Sequence, residues 1–254
     1  SDMGPPGKTY SARVCQAVEA LGISEVDNIV ISHFDLDHRG GLASFLTRHS
    51  VRGHLWFPES ALRAKGATDV LLAAERANLP VRFISNKAAP PGWRCWLSPY
   101  TAGNDSSPLC LALTKNGKKI LLTGDMSQKT ETWFLDELVP FPLADVLKVA
   151  HHGSRTSSSE EFLRASGAKL ALLGVGKKNR YGHPAAEVLD RLRASGMKIR
   201  RTDKEGTVSQ YAAAYFLPSF FNDEIARAGA EPSRVKPGRP AATSLEYEGA
   251  ASVK

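Results

Sequence analysis

Asn28-Ile29-Val30-Ile31-Ser32 runs directly into His33-Phe34-Asp35-Leu36-Asp37-His38-Arg39-Gly40-Gly41-Leu42. The apolar run reads as a short buried strand, and the polar block is the loop at its end, opening a helix. Four candidate metal ligands, His33, Asp35, Asp37 and His38, fall within six residues. Two carboxylates two residues apart repel, and a divalent cation turns that repulsion into binding. The competing reading is a solvated loop with helix-capping aspartates. The strand-to-loop context and the tight packing that Gly40 and Gly41 allow favour the metal.

Three further motifs follow, the first two at ends of strand-like runs. Leu121-Leu122-Thr123-Gly124-Asp125 ends in an acid that, alone, reads as a turn residue; beside the first motif it supplies the bridging carboxylate of a two-metal hydrolase. Val149-Ala150-His151-His152-Gly153-Ser154 carries paired imidazoles for metal or substrate, either of which could be the ligand, with His152 slightly favoured. Arg155 to Ser159 follows, read as an anion site at a helix start or as simple capping by Ser159. In Asn179-Arg180-Tyr181-Gly182-His183-Pro184, His183 is placed at a helix N-terminus, where it could meet a phosphate or protonate a leaving oxygen. Five of the seven histidines lie in these motifs; only His49 and His54 do not.

The 254 residues carry 33 basic and 26 acidic side chains, a net +7. Lys177 to Lys204 alone holds nine basic and three acidic residues, a net of +6 beside His183, which suits a polyanionic partner. A hydrophobic content of 42% supports a sizeable core. No apolar run reaches the ~20 residues a bilayer span needs. The opening Ser1 to Gly7 is a turn-like string without the pattern of a signal peptide. Three cysteines, Cys15, Cys95 and Cys110, with no CxxC spacing, argue against a disulfide scaffold and a cysteine zinc site.

Strands are expected at residues 28–32, 51–57, 81–85, 145–150, 169–175, 197–201 and 207–213, and a hairpin at 109–114 and 119–123 around Asn116-Gly117. Helices are expected within 60–79 and at 130–138, 159–165 and 184–195, the last with Pro184 at its first position. The hydrolase domain is placed at 1–221 and a disordered tail at 222–254, where Ala, Gly, Pro, Ser and Glu replace apolar periodicity.

These motifs, in this order, resemble the metallo-β-lactamase superfamily, and within it the C-terminal hydrolase domain of ComEC-type competence proteins, which take up DNA across the bacterial cytoplasmic membrane. The resemblance covers roughly residues 1 to 213, and Thr202-Asp203-Lys204-Glu205-Gly206 also looks like that domain's closing connection. Asp35 stands where the common first motif has histidine. Asn104, Asp105 and Ser106 stand in place of the usual third histidine ligand, since no histidine occurs between His54 and His151. Such an oxygen-rich set shifts the expectation from zinc toward two manganese or magnesium ions.

The resemblance implies an α/β, four-layer αββα sandwich. Asp2-Met3-Gly4-Pro5 looks like the turn after the fold's first strands, so those strands are expected to be absent. His33 and Asp35 would hold one cation, Asp37, His38 and His152 the other (His151 being the alternative), with Asp125 bridging. Asp37 and His183 would be catalytic, and Asn104, Asp105, Ser106, Ser154, Arg180 and His183 would meet the phosphate. The implied activity is a metal-dependent DNA phosphodiesterase that degrades the non-transported strand. It would work beside a membrane uptake channel, as a soluble domain on the non-cytoplasmic face. Two alternatives stand: a small-molecule phosphodiesterase or other ester hydrolase on the same fold, and an inactive DNA-binding or docking module.

Overall fold

The computed structural model describes residues 8–114, 117–177, 179–206 and 208. The expected strand at 207–213, the domain end at 221 and the tail at 222–254 therefore lie outside the described residues, apart from Val208.

Helix α1 (Lys8–Ala20) comes first, followed by β1 (Glu25–Val26), β2 (Ile29–Val30), α2 (Leu36–Arg39), α3 (Leu42–Leu46), β3 (Ser50–Val51), β4 (Leu55–Pro58), α4 (Ala67–Arg76) and β5 (Val81–Ile84). Then come β6 (Trp93–Trp96), β7 (Leu109–Leu113), β8 (Lys119–Leu122), α5 (Gln128–Glu137), β9 (Val146–Lys148), α6 (Glu160–Ser166), β10 (Leu170–Leu173), α7 (Ala186–Ala194), β11 (Lys198–Arg201) and α8 (Thr202–Glu205). Among the described residues one sheet has six strands in the order β11-β10-β9-β8-β7-β6, a second has three in the order β2-β4-β5, and β1 pairs with β3.

Alternation along the strands builds the layers, because successive side chains point to opposite faces. Leu55 and Phe57 of β4 pack on one side with Val14, Cys15 and Val18 of α1, Leu42 and Phe45 of α3, and Val70 and Ala74 of α4. Trp56, between them, joins Ile84, Cys95 and Cys110 in a core shared by the two sheets. Leu109, Leu121, Leu147 and Ala171 of the larger sheet face Phe134 of α5, Phe162 of α6 and Val188 of α7. The result is helices, sheet, sheet, helices: the four-layer αββα sandwich.

Strands β8, β9, β10 and β11 are mutually parallel, as are β2, β4 and β5. Their C-terminal ends therefore gather the loops that follow them, and those loops carry all four motifs. The antiparallel pairs β6–β7 and β7–β8 complete the larger sheet, and the latter is the expected hairpin.

Several expectations are corrected. Cys95 lies directly opposite Cys110 in the β6–β7 ladder and the two form a disulfide, so the odd cysteine count concealed a single pair. Residues 51–57 form two strands, because the chain turns between β3 and β4. The helix within 60–79 is a 3-10 turn (Glu59–Arg63) and then α4, restarting after Gly66. Helix α7 begins at Ala186, so Pro184 and His183 precede it rather than open it. Helix α1 and strand β6 were not anticipated.

Phe57, fully buried at the centre of the smaller sheet, supports both neighbouring strands. Phe57→Ala should lower unfolding free energy by about 3–5 kcal/mol in urea titrations, the usual loss for a buried phenylalanine.

Candidate metal centre

The first motif folds as a tight helical turn. The Asp35 carbonyl accepts hydrogen bonds from the His38 and Arg39 amides, starting α2. Arg39 anchors the turn by donating Nε to the Phe34 carbonyl at 2.9 Å and Nη1 to Asp69 of α4 at 2.8 Å. Asp37 and His38 are thereby aimed at the larger sheet. Asp125 arrives from the end of β8, and His152 from the end of β9.

Asp37, His38, Asp125 and His152 each offer one ligand atom, and these atoms all lie within 4.8 Å of one another. His38 Nε2 is 3.1 Å from Asp125 Oδ2 and 3.9 Å from Asp37 Oδ2. His152 Nε2 is 3.2 Å from Asp37 Oδ2 and 3.3 Å from Asp125 Oδ2. Burial works against ionising Asp125, but hydrogen bonds from His152 and His38, with their charge, hold its carboxyl well below the usual carboxylate range. Asp37 is likewise lowered, chiefly by its bond from His152. His33 lies beside the cluster, its ring centroid 4.1 Å from that of His38 and its Nε2 3.7 Å from Asp35 Oδ2. The bond from His33 lowers the Asp35 carboxyl.

The metallo-beta-lactamase superfamily model matches residues 10–177. The chain belongs to the metallo-beta-lactamase superfamily. It is also homologous to competence-associated proteins. ComE operon protein 3 of Bacillus subtilis (strain 168) is 31% identical over 199 residues, which is 74% of this chain and 25% of that protein. Competence protein ComA of Neisseria gonorrhoeae is 28% identical over 198 residues, covering 77% of this chain and 26% of that protein. Recombination protein 2 of Haemophilus influenzae (strain ATCC 51907 / DSM 11121 / KW20 / Rd) is 29% identical over 193 residues, 72% of this chain and 22% of that protein. The chain thus spans about a quarter of the length of these curated relatives.

The donor set of this superfamily member fits a cation. His152 donates Nδ1–H to the Gly174 carbonyl at 2.7 Å, so its Nε2 is turned toward two carboxylate oxygens. That geometry is favourable only with positive charge between them, from a proton or a metal ion. Asp125 Oδ1 is buried with no hydrogen-bond partner, an acceptor left free beside the cluster. The chain therefore holds an Asp/His cluster able to bind a metal ion, on the fold of a metal-dependent hydrolase family.

Local backbone geometry is unusual at this site. His151 and His152 have φ of 47° and 52°, left-handed values that disfavour non-glycine residues, and Gly153 follows at 83°. A Cβ on Gly153 would meet Pro184 Cβ at 2.6 Å, so this glycine lets the third motif touch the fourth. Gly124, at φ 54°, has no room for a Cβ either, with Ser107 Oγ at 2.6 Å.

The other expected site residues fall around this centre. His151 lies outside the four-residue cluster, with Asn104 Nδ2 3.3 Å from its Nδ1, and burial lowers its pKa. Asp105 Oδ1 accepts from the Ser127 amide at 2.9 Å and from Thr130 Oγ1 at 2.6 Å, pinning the start of α5. Ser106 donates to the Gly103 carbonyl, and Ser154 Oγ bonds Thr156 within its own turn. Ser159 caps α6 by accepting from the Phe162 amide. His183 lies 5.7 Å from His151, ring to ring, while Arg180 is exposed on the rim. In the basic stretch, Arg193, Arg200 and Arg201 are paired with Asp190, Glu205 and Asp203.

Two supporting residues, Ser32 and Ser107, were not among the expected site residues. Ser32 Oγ lies 3.1 Å from His33 Nδ1 and 3.4 Å from His38 Nδ1. Ser107 Oγ lies 3.2 Å from His33 Nδ1 and accepts from the Asp125 amide at 3.3 Å. The available signal was position alone: each serine borders a buried strand and a ligand-bearing turn.

Ser107→Ala should weaken binding of a divalent metal ion about tenfold by titration calorimetry while the protein stays folded, because it removes one of two serine contacts on His33 and the acceptor of the Asp125 amide. Asp105 gives a pH prediction. Burial opposes its ionisation, yet the Thr130 and Ser127 bonds hold its carboxyl below the ordinary 3.8. Such a group contributes stability above the ordinary value that is lost as pH falls through the depressed one. Asp105→Ala should therefore cost about 1–3 kcal/mol at pH 7. The gap from wild type should narrow in urea titrations between pH 5 and about pH 2.

Proposed function

We propose that this chain is a metal-dependent phosphodiesterase that cuts DNA during competence-type DNA uptake. The observation that carries the reading is the Asp37, His38, Asp125 and His152 cluster, whose ligand atoms lie within 4.8 Å of one another, in a chain homologous to competence proteins. Asp37, His38, Asp125 and His152 would hold one divalent ion, and His33 and Asp35 would hold a second beside it. The carboxylate share of this set favours manganese or magnesium over zinc. When bound, such ions lower the pKa of water toward neutrality and offset charge on the attacking and leaving oxygens.

The chain's own residues then orient the phosphodiester. His183 and Arg180 approach from the rim beside His151 and donate to phosphate oxygens. Asn104 holds the His151 ring in place, and Ser106 and Ser154 brace the turns that carry Asn104 and the histidine pair. The net charge of +7 favours a polyanion. The Cys95–Cys110 disulfide supports work on the oxidising, non-cytoplasmic side of a membrane, next to an uptake channel. Among the described residues no helix is long and apolar enough to cross a membrane.

The test is cleavage of end-labelled single- and double-stranded DNA with manganese, magnesium, zinc or chelator, with Asp37→Ala as control. Manganese-dependent cutting that falls at least about a hundredfold in the variant is expected, since a missing ligand removes the ion that lowers the barrier. A folded, metal-loaded protein that cuts no DNA would redirect the reading to a small-molecule ester. A folded protein that binds no metal would leave a DNA-binding module.

A further inference from the structure

Rings run from the buried centre outward to the surface. His33 is 4.1 Å from His38 and His38 5.4 Å from His152, while His152 is 6.4 Å from His151 and His151 5.7 Å from His183. The series ends at Tyr181, whose ring lies 5.8 Å from that of His183 at an interplanar angle of 20°, an offset stack. Tyr181 is nevertheless 68% exposed. With His183 stacked on it and Arg180 over it, the Tyr181 ring still presents much of its surface to solvent.

Chemistry around that ring is suited to a nucleotide. Arg180 Cζ lies 5.0 Å from the ring centroid, and its Nη2 donates to the Tyr181 hydroxyl at 2.8 Å. Tyr181 and His183 also line a cavity of about 290 Å³ with Arg155 and Glu187 across from them, Arg155 Nε sitting 3.5 Å from Glu187 Oε1. That volume is at the low end for small-molecule sites, enough for a base with its sugar. Asn179 fixes the loop by accepting from the His183 amide at 2.8 Å and donating to the His183 carbonyl at 2.7 Å, so the stack is held at a set distance from the centre.

We propose that Tyr181 is a base-stacking residue: an unpaired base of single-stranded DNA lies on its exposed ring, Arg180 moving off that ring so that it and Arg155 take the flanking phosphates. This rests on the phosphodiesterase reading for its substrate but makes a separate claim, that binding depends on a base as well as on backbone charge. Stacking on an aromatic ring serves any base and fails for a base locked in a duplex.

The test compares an oligothymidylate with an abasic oligomer of equal length, both fluorescently labelled, by anisotropy with calcium in place of manganese to slow cutting. Wild type should bind the oligothymidylate about tenfold more tightly than the abasic strand, the usual scale for one stacked base. Tyr181→Ala should bring the oligothymidylate to the abasic level and leave the abasic affinity unchanged, while Tyr181→Phe should keep the preference. Arg180→Ala should weaken both strands equally. Equal binding of both strands by wild type, no binding of either, or equal loss of both in Tyr181→Ala would overturn the stacking role. Manganese-dependent cleavage by wild type is scored separately. Cutting without a base preference sinks only the stacking residue; a base preference without cutting sinks only the phosphodiesterase reading.

Discussion

Two carboxylates, Asp37 and Asp125, are held within one cluster of ligand atoms, and only positive charge can keep them there. The His38 and His152 rings lie against both carboxylates, and a divalent ion would supply that charge with two units rather than one. The rest of the architecture keeps that unfavourable juxtaposition in place. Asp37 and His38 come from the smaller sheet, and Asp125 and His152 from adjacent parallel strands of the larger one, so the cluster exists only when the two sheets are packed face to face. The core of Trp56, Ile84, Cys95 and Cys110 between the sheets is therefore as necessary to the site as its ligands.

Backbone strain accompanies the cluster. His151, His152 and Ser158 all have positive φ, at a cost of roughly 1–3 kcal/mol each, and such residues persist only where their surroundings over-determine them. Here the surroundings are specific. The His151 amide bonds the Gly124 carbonyl, and Ser157 donates to the Ala150 carbonyl. Glu131 of α5, wholly buried, accepts from the Ser158 and Ser159 amides, and burial pushes its carboxyl up in spite of those bonds. A helix on the outer layer thus holds the loop that aims His152, which ties the chemistry to packing well away from it.

Much of this was legible in the sequence, because a metal hydrolase concentrates rare residues at strand ends. His33 to His38, Asp125 and His152 could be picked out by residue type and by the apolar runs preceding them, and alternation between strand and helix patterns gave the layers. Placement of the helix starts was less legible. His183 and Pro184 lie before α7 rather than on it, with Ala185 as the residue that starts the helix. Cys95 and Cys110 looked unpaired because cross-strand neighbours have no spacing signature; they meet only through the β6–β7 register. Asp105 could be picked out by its neighbourhood, but not the bonds of its Oδ1 to the start of α5, more than twenty residues away.

By itself, then, the sequence determined which residue types could bind a cation and that each sits where a strand ends. Those are local properties, written in side-chain chemistry and periodicity. Tertiary structure decided which of them converge: His152 rather than His151, with Ser32, Ser107 and the Gly174 carbonyl as orienting partners. Convergence depends on strand order, on parallel register and on the direction an imidazole is turned by a backbone carbonyl. A carbonyl is identical at every residue and carries no sequence signature, so the hydrogen bond that aims His152 becomes visible only once β9 and β10 lie side by side.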